Sequence, residues 1–250
     1  MHTNDFFVAA WQDALTRLAT TFTGSVTELI PGLIAVNSGV PIPNLNGPLA
    51  TATDIDDAEL IAALARYTAA GPWSLQLRTA PSAAVVAAAA ERGLTTPLPL
   101  PFMTRELSAA DTELELPDGV TVRTVSPAEH TDYADTLADA FGAPRPMLAS
   151  LGSPELLGAE GMTAYLVEDG GRPVATGFGI RTADTVGCVN IAVLPDHRRR
   201  GLGTIATQAV LADAVADGAT TAYLHASPLG FPVYQRLGFT VAEQWTMFVG

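Results

Sequence analysis

The stretch VNIAVLPDHRRRGLGTIATQAV, from Val189 to Val210, decides how this chain reads. Val189 to Leu194 is an apolar run that predicts a buried strand; Pro195-Asp196 predicts a turn, and from Thr204 a helix meets no Gly or Pro until Gly218. Between strand and helix stand Arg198, Arg199 and Arg200, then Gly201-Leu202-Gly203. Two glycines ahead of a helix let the backbone curl until several N–H groups converge, and the helix dipole adds partial positive charge there. The combination predicts a site for phosphate oxygens, with the arginines supplying full charge beside it. The alternative is a plain strand-turn-helix link with a solvated basic loop, because Gly-x-Gly alone is a common pattern.

Composition weighs against that alternative. All 13 basic residues of the 250 are arginine, and three of them stand together here in a chain of net charge −13. Such acidity excludes sequence-independent nucleic-acid binding, which depends on phosphate contact. It suits an amine-bearing small molecule, and it suits solubility equally well. Residues 1–118 carry 5 Arg against 13 acids (net −8) and residues 119–250 carry 8 against 13 (net −5), so the acidity is shared. The single cysteine, Cys188, excludes an intramolecular disulfide, and the scattered His2, His130, His197 and His225 show no metal-ligand spacing. The N-terminus lacks the basic and apolar regions of a signal peptide, and no apolar run reaches membrane-spanning length. A cytoplasmic protein is expected, with no metal and no membrane or nucleic-acid partner; a homodimer is left open.

Along the chain, Phe6, Ala10, Leu15 and Leu18 predict a first helix, and VTELIPGLIAVNSG reads as a strand turned by Asn37 to Gly39. Thr53 or Asp54 can cap a helix carrying Leu60, Ile61, Leu64 and Tyr67 that Gly71 stops; WSLQLR is a strand, PSAAVVAAAAERG a helix and FMTREL a strand. From Val120 the order restarts: a strand, a helix opened by Ser126, Pro127 and Glu129 as a capping box, three strands, the arginine turn and its helix. TAYLHAS, PVYQRLG and FTVAEQWTMFV then read as strand, helix and strand. The halves repeat one another weakly. Aligned on Gly71 and Gly218, RRRGLG falls opposite TATDIDD, with its Asp54, Asp56 and Asp57; aligned on Gly93 and Gly238, Tyr234 falls opposite Ala89. Acids at that position would repel a pyrophosphate, so only the second half is expected to hold the anion.

The second half, from Val120 to Val249, resembles the GCN5-related N-acetyltransferase (GNAT) superfamily. VLPDHRRRGLG resembles its Arg/Gln-x-x-Gly-x-Gly/Ala motif, and ASPLGFPVYQRLGF its following strand, loop and tyrosine-bearing helix. The first half resembles a degenerate copy. The resemblance implies an α/β fold of two GNAT-like domains, 1–115 and 119–250, each a mixed, mostly antiparallel sheet flanked by helices. It implies acetyl-CoA as co-substrate and direct transfer to the amine of a small molecule or peptide. Backbone N–H groups of Arg199, Arg200, Gly201, Leu202, Gly203 and Thr204 would take the pyrophosphate, with Arg198 opening the motif. The strand ending Ile191, Ala192, Val193 would splay from its neighbour, pair with the pantetheine arm and polarise the thioester carbonyl. The acceptor would lie near Phe141 to Pro146 and Leu151 to Leu157.

Tyr234 is then the candidate acid for the CoA thiolate, or an aromatic that packs its helix onto the sheet. Ser227 contacts the CoA arm or caps the turn before Pro228. For proton removal from the amine, Glu168 and Asp169 read as solvated, His225 as a core histidine or a pocket base, and Cys188 as an inert thiol. Where family members often carry a glutamate, this chain has Cys188 and Asn190, so transfer through water is preferred. A module that binds acyl-CoA without catalysis is the rival reading.

Overall fold

The computed structural model describes residues 3–250. In chain order it runs α1 (Thr3–Thr21), β1 (Ser25–Ile30), β2 (Leu33–Asn37), β3 (Asn46–Ala50), α2 (Asp57–Arg66), β4 (Leu75–Leu77), α3 (Ala83–Glu91) and β5 (Thr96–Glu106). It continues through β6 (Val120–Thr124), α4 (His130–Phe141), α5 (Arg145–Leu148), α6 (Pro154–Leu157), β7 (Met162–Asp169), β8 (Arg172–Thr182) and β9 (Thr185–Val193). Then come α7 (Leu202–Ala216), β10 (Thr221–His225), α8 (Phe231–Arg236) and β11 (Thr240–Val249). Two compact units result: residues up to 102 together with 241–250, and residues 103–240. Each is an α/β arrangement of a mixed sheet with flanking helices.

In the first unit the strand order is β1-β2-β3-β4-β11-β5. Pairing is antiparallel for β1 with β2, β2 with β3 and β4 with β11, and parallel for β3 with β4. The run VTELIPGLIAVN, expected as one strand, is a hairpin: Gly32 takes φ +81 after Pro31, and Ile30 pairs with Leu33. Apolar residues on both arms hide the turn from a reading by hydropathy. Along β5, Pro97, Pro99 and Pro101 alternate, so one edge there lacks ladder donors, which suits the outermost strand of this unit.

Whereas the sequence groups FTVAEQWTMFV with the second half, Val241–Gly250 belong to the first unit. The cause is a buried ion pair. The Arg78 side chain is 3% exposed and lies against Glu243, its Nε donating to Oε2 at 2.9 Å and a terminal nitrogen to Oε1. The same terminal nitrogen also donates to Asp5 at 3.0 Å, and the other terminal nitrogen donates to the Thr51 carbonyl at 2.6 Å. The Trp245 indole N–H donates to Glu243 at 2.7 Å, and its ring stacks on Phe102. The guanidinium is thus satisfied on all sides, the condition under which a buried charge is tolerated.

The second unit has the order β5-β10-β9-β8-β7-β6, β5 entering with its last residues. α7 and α4 both pack on β8 and β9, and the period of two along β8 puts them on opposite faces. Phe178 meets Tyr133 of α4, while a Cβ at Gly177 would stand 3.0 Å from the Ala206 carbonyl of α7. Glycine at 177 is therefore what lets α7 lie close. Leu202, Ile205, Ala206, Ala209 and Val210 make the buried stripe of α7, at the spacing of one helix face. The Ser126 and Glu129 capping box forms as read from the sequence.

Glu243→Ala leaves the Arg78 guanidinium buried without its bidentate partner. The expected cost is about 3–5 kcal/mol, measured as a lowered urea midpoint. A loss below about 1 kcal/mol, the range of an exposed pair, would show that β11 is held by other contacts.

Candidate active site

β9 loses β10 over its second half and is bulged against β8. Parallel pairing with β10 covers Thr185 to Gly187 against Thr221 to Tyr223. On the other side, Phe178 pairs with Val189 and Thr176 with Ala192, so Asn190 and Ile191 both stand opposite Gly177. This is a β-bulge, and Asn190 takes φ +53 to make it. One hydroxyl braces it: Thr176 donates to the Asn190 carbonyl at 2.7 Å. Sequence reasoning missed the bulge and its brace, because a bulge is an event of register and β8 shows only an isolated Gly177.

Beyond Val193 the backbone bends back into α7. Arg199 has φ +67 and Gly201 φ +80, and Gly201 stands at the N-cap with no side-chain cap. The first bond into the helix runs from the Ile205 N–H to the Gly201 carbonyl, so the N–H groups just ahead of it are the orphan donors of a 15-residue helix. Leu202 is buried beneath them. A Cβ at Gly203 would meet the Val193 side chain at an ordinary 3.6 Å, leaving room above the turn.

The three arginines divide by task. Arg198 donates to the Val193 carbonyl at 3.1 Å and to the Ala140 carbonyl at 2.9 Å, tying the end of α4 to the turn. Arg200 pairs with Asp169 at 2.8 Å on a half-exposed surface. Among the described residues, Arg199 has no acceptor for its guanidinium and is exposed. The Val193 carbonyl is accordingly engaged before any ligand arrives.

Tyr234 on α8 shares an apolar cluster with Cys188, and Ile191 packs against that cluster. Its ring lies edge-on to Phe239 at 6.0 Å, and a Cβ at Gly230 would stand 2.7 Å from it. Its hydroxyl makes no hydrogen bond to another described residue, and burial pushes the phenol above its usual range, with the nearby Cys188 adding to the effect. Ser227 Oγ accepts from the Gly230 N–H at 3.1 Å, so it performs the turn-capping task. Burial pushes the Cys188 thiol up to about 12 and the His225 imidazole down to about 3. Glu168 and Asp169 are not simply solvated: Glu168 accepts from Arg123 at 2.7 Å, and Asp169 holds Arg200. Among the described residues no group of three or more His, Cys, Asp and Glu gathers as a metal site, and no helix is long and apolar enough to cross a membrane.

An open strand edge leading into a helix with uncapped donors is the geometry to compare with known proteins. Residues 130–239 match the acetyltransferase (GNAT) family. The GNAT match falls entirely within the second unit. Among solved structures, a GCN5-related N-acetyltransferase from Kribbella flavida is similar over 100% of this chain and 96% of its own, at 22% identity and a TM-score of 0.70. A functionally unknown conserved protein from Staphylococcus epidermidis is similar over 91% and 94%, at 14% identity and a TM-score of 0.63. A GCN5-related N-acetyltransferase from Sphaerobacter thermophilus is similar over 77% and 64%, at 19% identity and a TM-score of 0.53. These likenesses establish the fold. No curated protein matches the sequence significantly.

Two outcomes follow from the site's construction. Arg198→Ala should lower stability by about 1–2 kcal/mol through two lost charge-assisted bonds, while Arg199→Ala leaves it unchanged; thermal melts compare them. His225 is neutral when folded and ordinarily protonates near 6.5 when unfolded. The unfolded chain therefore binds the extra proton below 6.5, and stability falls as pH drops from 6.5 toward 3. His225→Asn should remove up to about 2 kcal/mol of that loss between about pH 6.5 and 5, seen as a flatter dependence of the urea midpoint on pH.

Proposed function

We propose that the second unit transfers an acetyl group from acetyl-CoA to the amine of a small molecule or peptide by direct attack. The observation that carries this reading is the turn from Arg199 to Thr204: curled backbone, uncapped helix donors and one unengaged guanidinium, inside the segment that matches the GNAT family. The pyrophosphate would sit on those N–H groups with Arg199 alongside. The pantetheine arm would lie along the β9 edge that β10 releases after Gly187, with backbone donors near Ile191 facing the thioester oxygen as it gains charge.

Tyr234 donates a proton to the departing thiolate. Its raised pKa keeps the phenol protonated across working pH. Cys188 and His225 are both shifted away from neutrality by burial, which makes them poor bases for the incoming ammonium, so its proton leaves through water. Exposed Phe141 and Leu229 would contribute apolar surface on the acceptor side.

The first unit reads as a degenerate copy. Both halves of the sequence run helix, three antiparallel strands, helix, a strand parallel to the last of these, a shorter helix and a final strand, although the final strand of the second half, β11, lies in the first unit. In α2 the matching N-terminus is closed by its own carboxylate: Asp56 accepts from the Ala58 and Glu59 N–H groups at 2.9 and 3.2 Å. An acid there replaces the anion instead of binding one.

Calorimetry with acetyl-CoA, followed by thiol release against a panel of amines, tests the proposal. Gly203→Asp is sterically tolerable, so it should abolish acetyl-CoA binding through charge while the melt is retained; no binding by the parent chain would defeat the proposal. Tyr234→Phe should lower turnover at least about tenfold with acetyl-CoA affinity unchanged. The rival, an acyl-CoA-binding module, draws on the close packing of Tyr234 against Gly230, and binding without release for any amine would favour it.

A further inference from the structure

We infer that the first unit carries a second binding site, for an uncharged small molecule that presents a flat ring with hydrogen-bonding groups on its rim. A cavity of about 510 Å³ opens there, a volume typical of small-molecule sites. Its floor is the end of the β1–β2 hairpin, where Ser25, Thr27, Ala35 and Asn37 share one face; its wall is the segment from Tyr67 to Trp73. The site belongs to the first unit alone and does not depend on the acetyltransferase reading.

The wall of the cavity begins where α2 ends. α7 has 15 residues and α2 has 10, a difference of about 7.5 Å at 1.5 Å per residue. The sequence expects α2 to run to Gly71, but Tyr67 turns extended at ψ 133 and the helix ends at Arg66. Arg92, at the end of α3, holds that ending: its guanidinium donates to the carbonyls of Ala65 and Tyr67 at 3.0 and 2.6 Å and lies 5.8 Å from the centre of the Trp73 ring. Tyr67 and Trp73 are thereby fixed 5.1 Å apart at 52°, before any ligand binds. Such preorganisation reduces the ordering cost of binding.

On the opposite side, Asn46 secures the loop from Ser38. It accepts from the Ser38 N–H and hydroxyl and donates to the Val40 and Ile42 carbonyls. The floor is small where it is apolar, at Ala35, and polar beside it. The hydroxyls of Ser25, Thr27, Thr68 and Tyr67 and the side-chain NH₂ of Asn37 make no hydrogen bond to other described residues, so they remain available to a ligand. None of the lining residues is Asp, Glu, Lys, Arg or His, in a chain with 39 Asp, Glu and Arg residues (13 and 26). The nearest charge, Arg92, does not line the cavity and is committed to the Ala65 and Tyr67 carbonyls, so a charged ligand would lose hydration without gaining a free counterion, and a neutral one would not. Two aromatic rings offer faces to a flat ring, and the neutral donors and acceptors match a polar rim.

A sugar ring and a nucleoside share this chemistry, and the test separates them. Trp11 and Trp245 are 7% and 0% exposed, so ligand-dependent tryptophan fluorescence of the full chain reports mainly on Trp73. One titration uses neutral mono- and disaccharides, the other uncharged nucleosides. A saturable change in one arm with Kd at or below about 1 mM is expected. Sugar phosphates or nucleoside monophosphates should bind at least about tenfold more weakly in the matching arm. Ala35→Phe, which fills the floor, should weaken binding at least about tenfold; should it fail to fold by circular dichroism, the exposed Thr27→Val, expected to weaken binding several-fold, carries the test. No saturable change in either arm up to about 10 mM, or binding that Thr27→Val leaves intact, overturns the proposal.

Discussion

A β-ladder satisfies backbone groups only while its strands stay in register, and β9 leaves register at Asn190. One added residue opposite Gly177 shifts its pairing with β8, which resumes at Ala192 and Val193, while its pairing with β10 has already ended at Gly187. The free edge costs hydrogen bonds that a structural strand would keep. It is maintained by the Thr176 hydroxyl, by the positive φ of Asn190 and by Arg198, which takes the Val193 carbonyl. The turn into α7 can then open its N–H groups outward because no side chain closes them.

Two helices of this chain close their N-termini in different ways. At α2 the chain supplies a carboxylate of its own, and the helix is complete without a ligand. At α7 glycine occupies the cap, and no side chain closes the terminus.

Features with short-range causes were legible in the sequence. The strand, turn and helix around Val189 to Val210, the Ser126 and Glu129 capping box, and the acid-for-glycine contrast all rest on neighbours within a few residues. The hairpin at Pro31-Gly32 was not, since its two arms form one apolar run. The end of α2 was missed because Arg92, distant in sequence, caps it. The arginine cluster pointed to an anion, yet two of its three side chains serve the protein: Arg198 the backbone and Arg200 Asp169. Only a fold can show which guanidinium is already committed. Asn190 gave no sign either, because its role lies in a register shift against a strand far along the chain.

The placement of β11 has a consequence for how the chain is made. Residues 241–250 complete the first unit, and they follow every residue of the second. During synthesis the first unit must therefore wait with a gap beside β4, its Arg78 guanidinium lacking Glu243, while residues 103–240 can already close their own core. For that interval the open strand edge at β4 is the exposed hazard of this protein, and the late arrival of a single glutamate ends it.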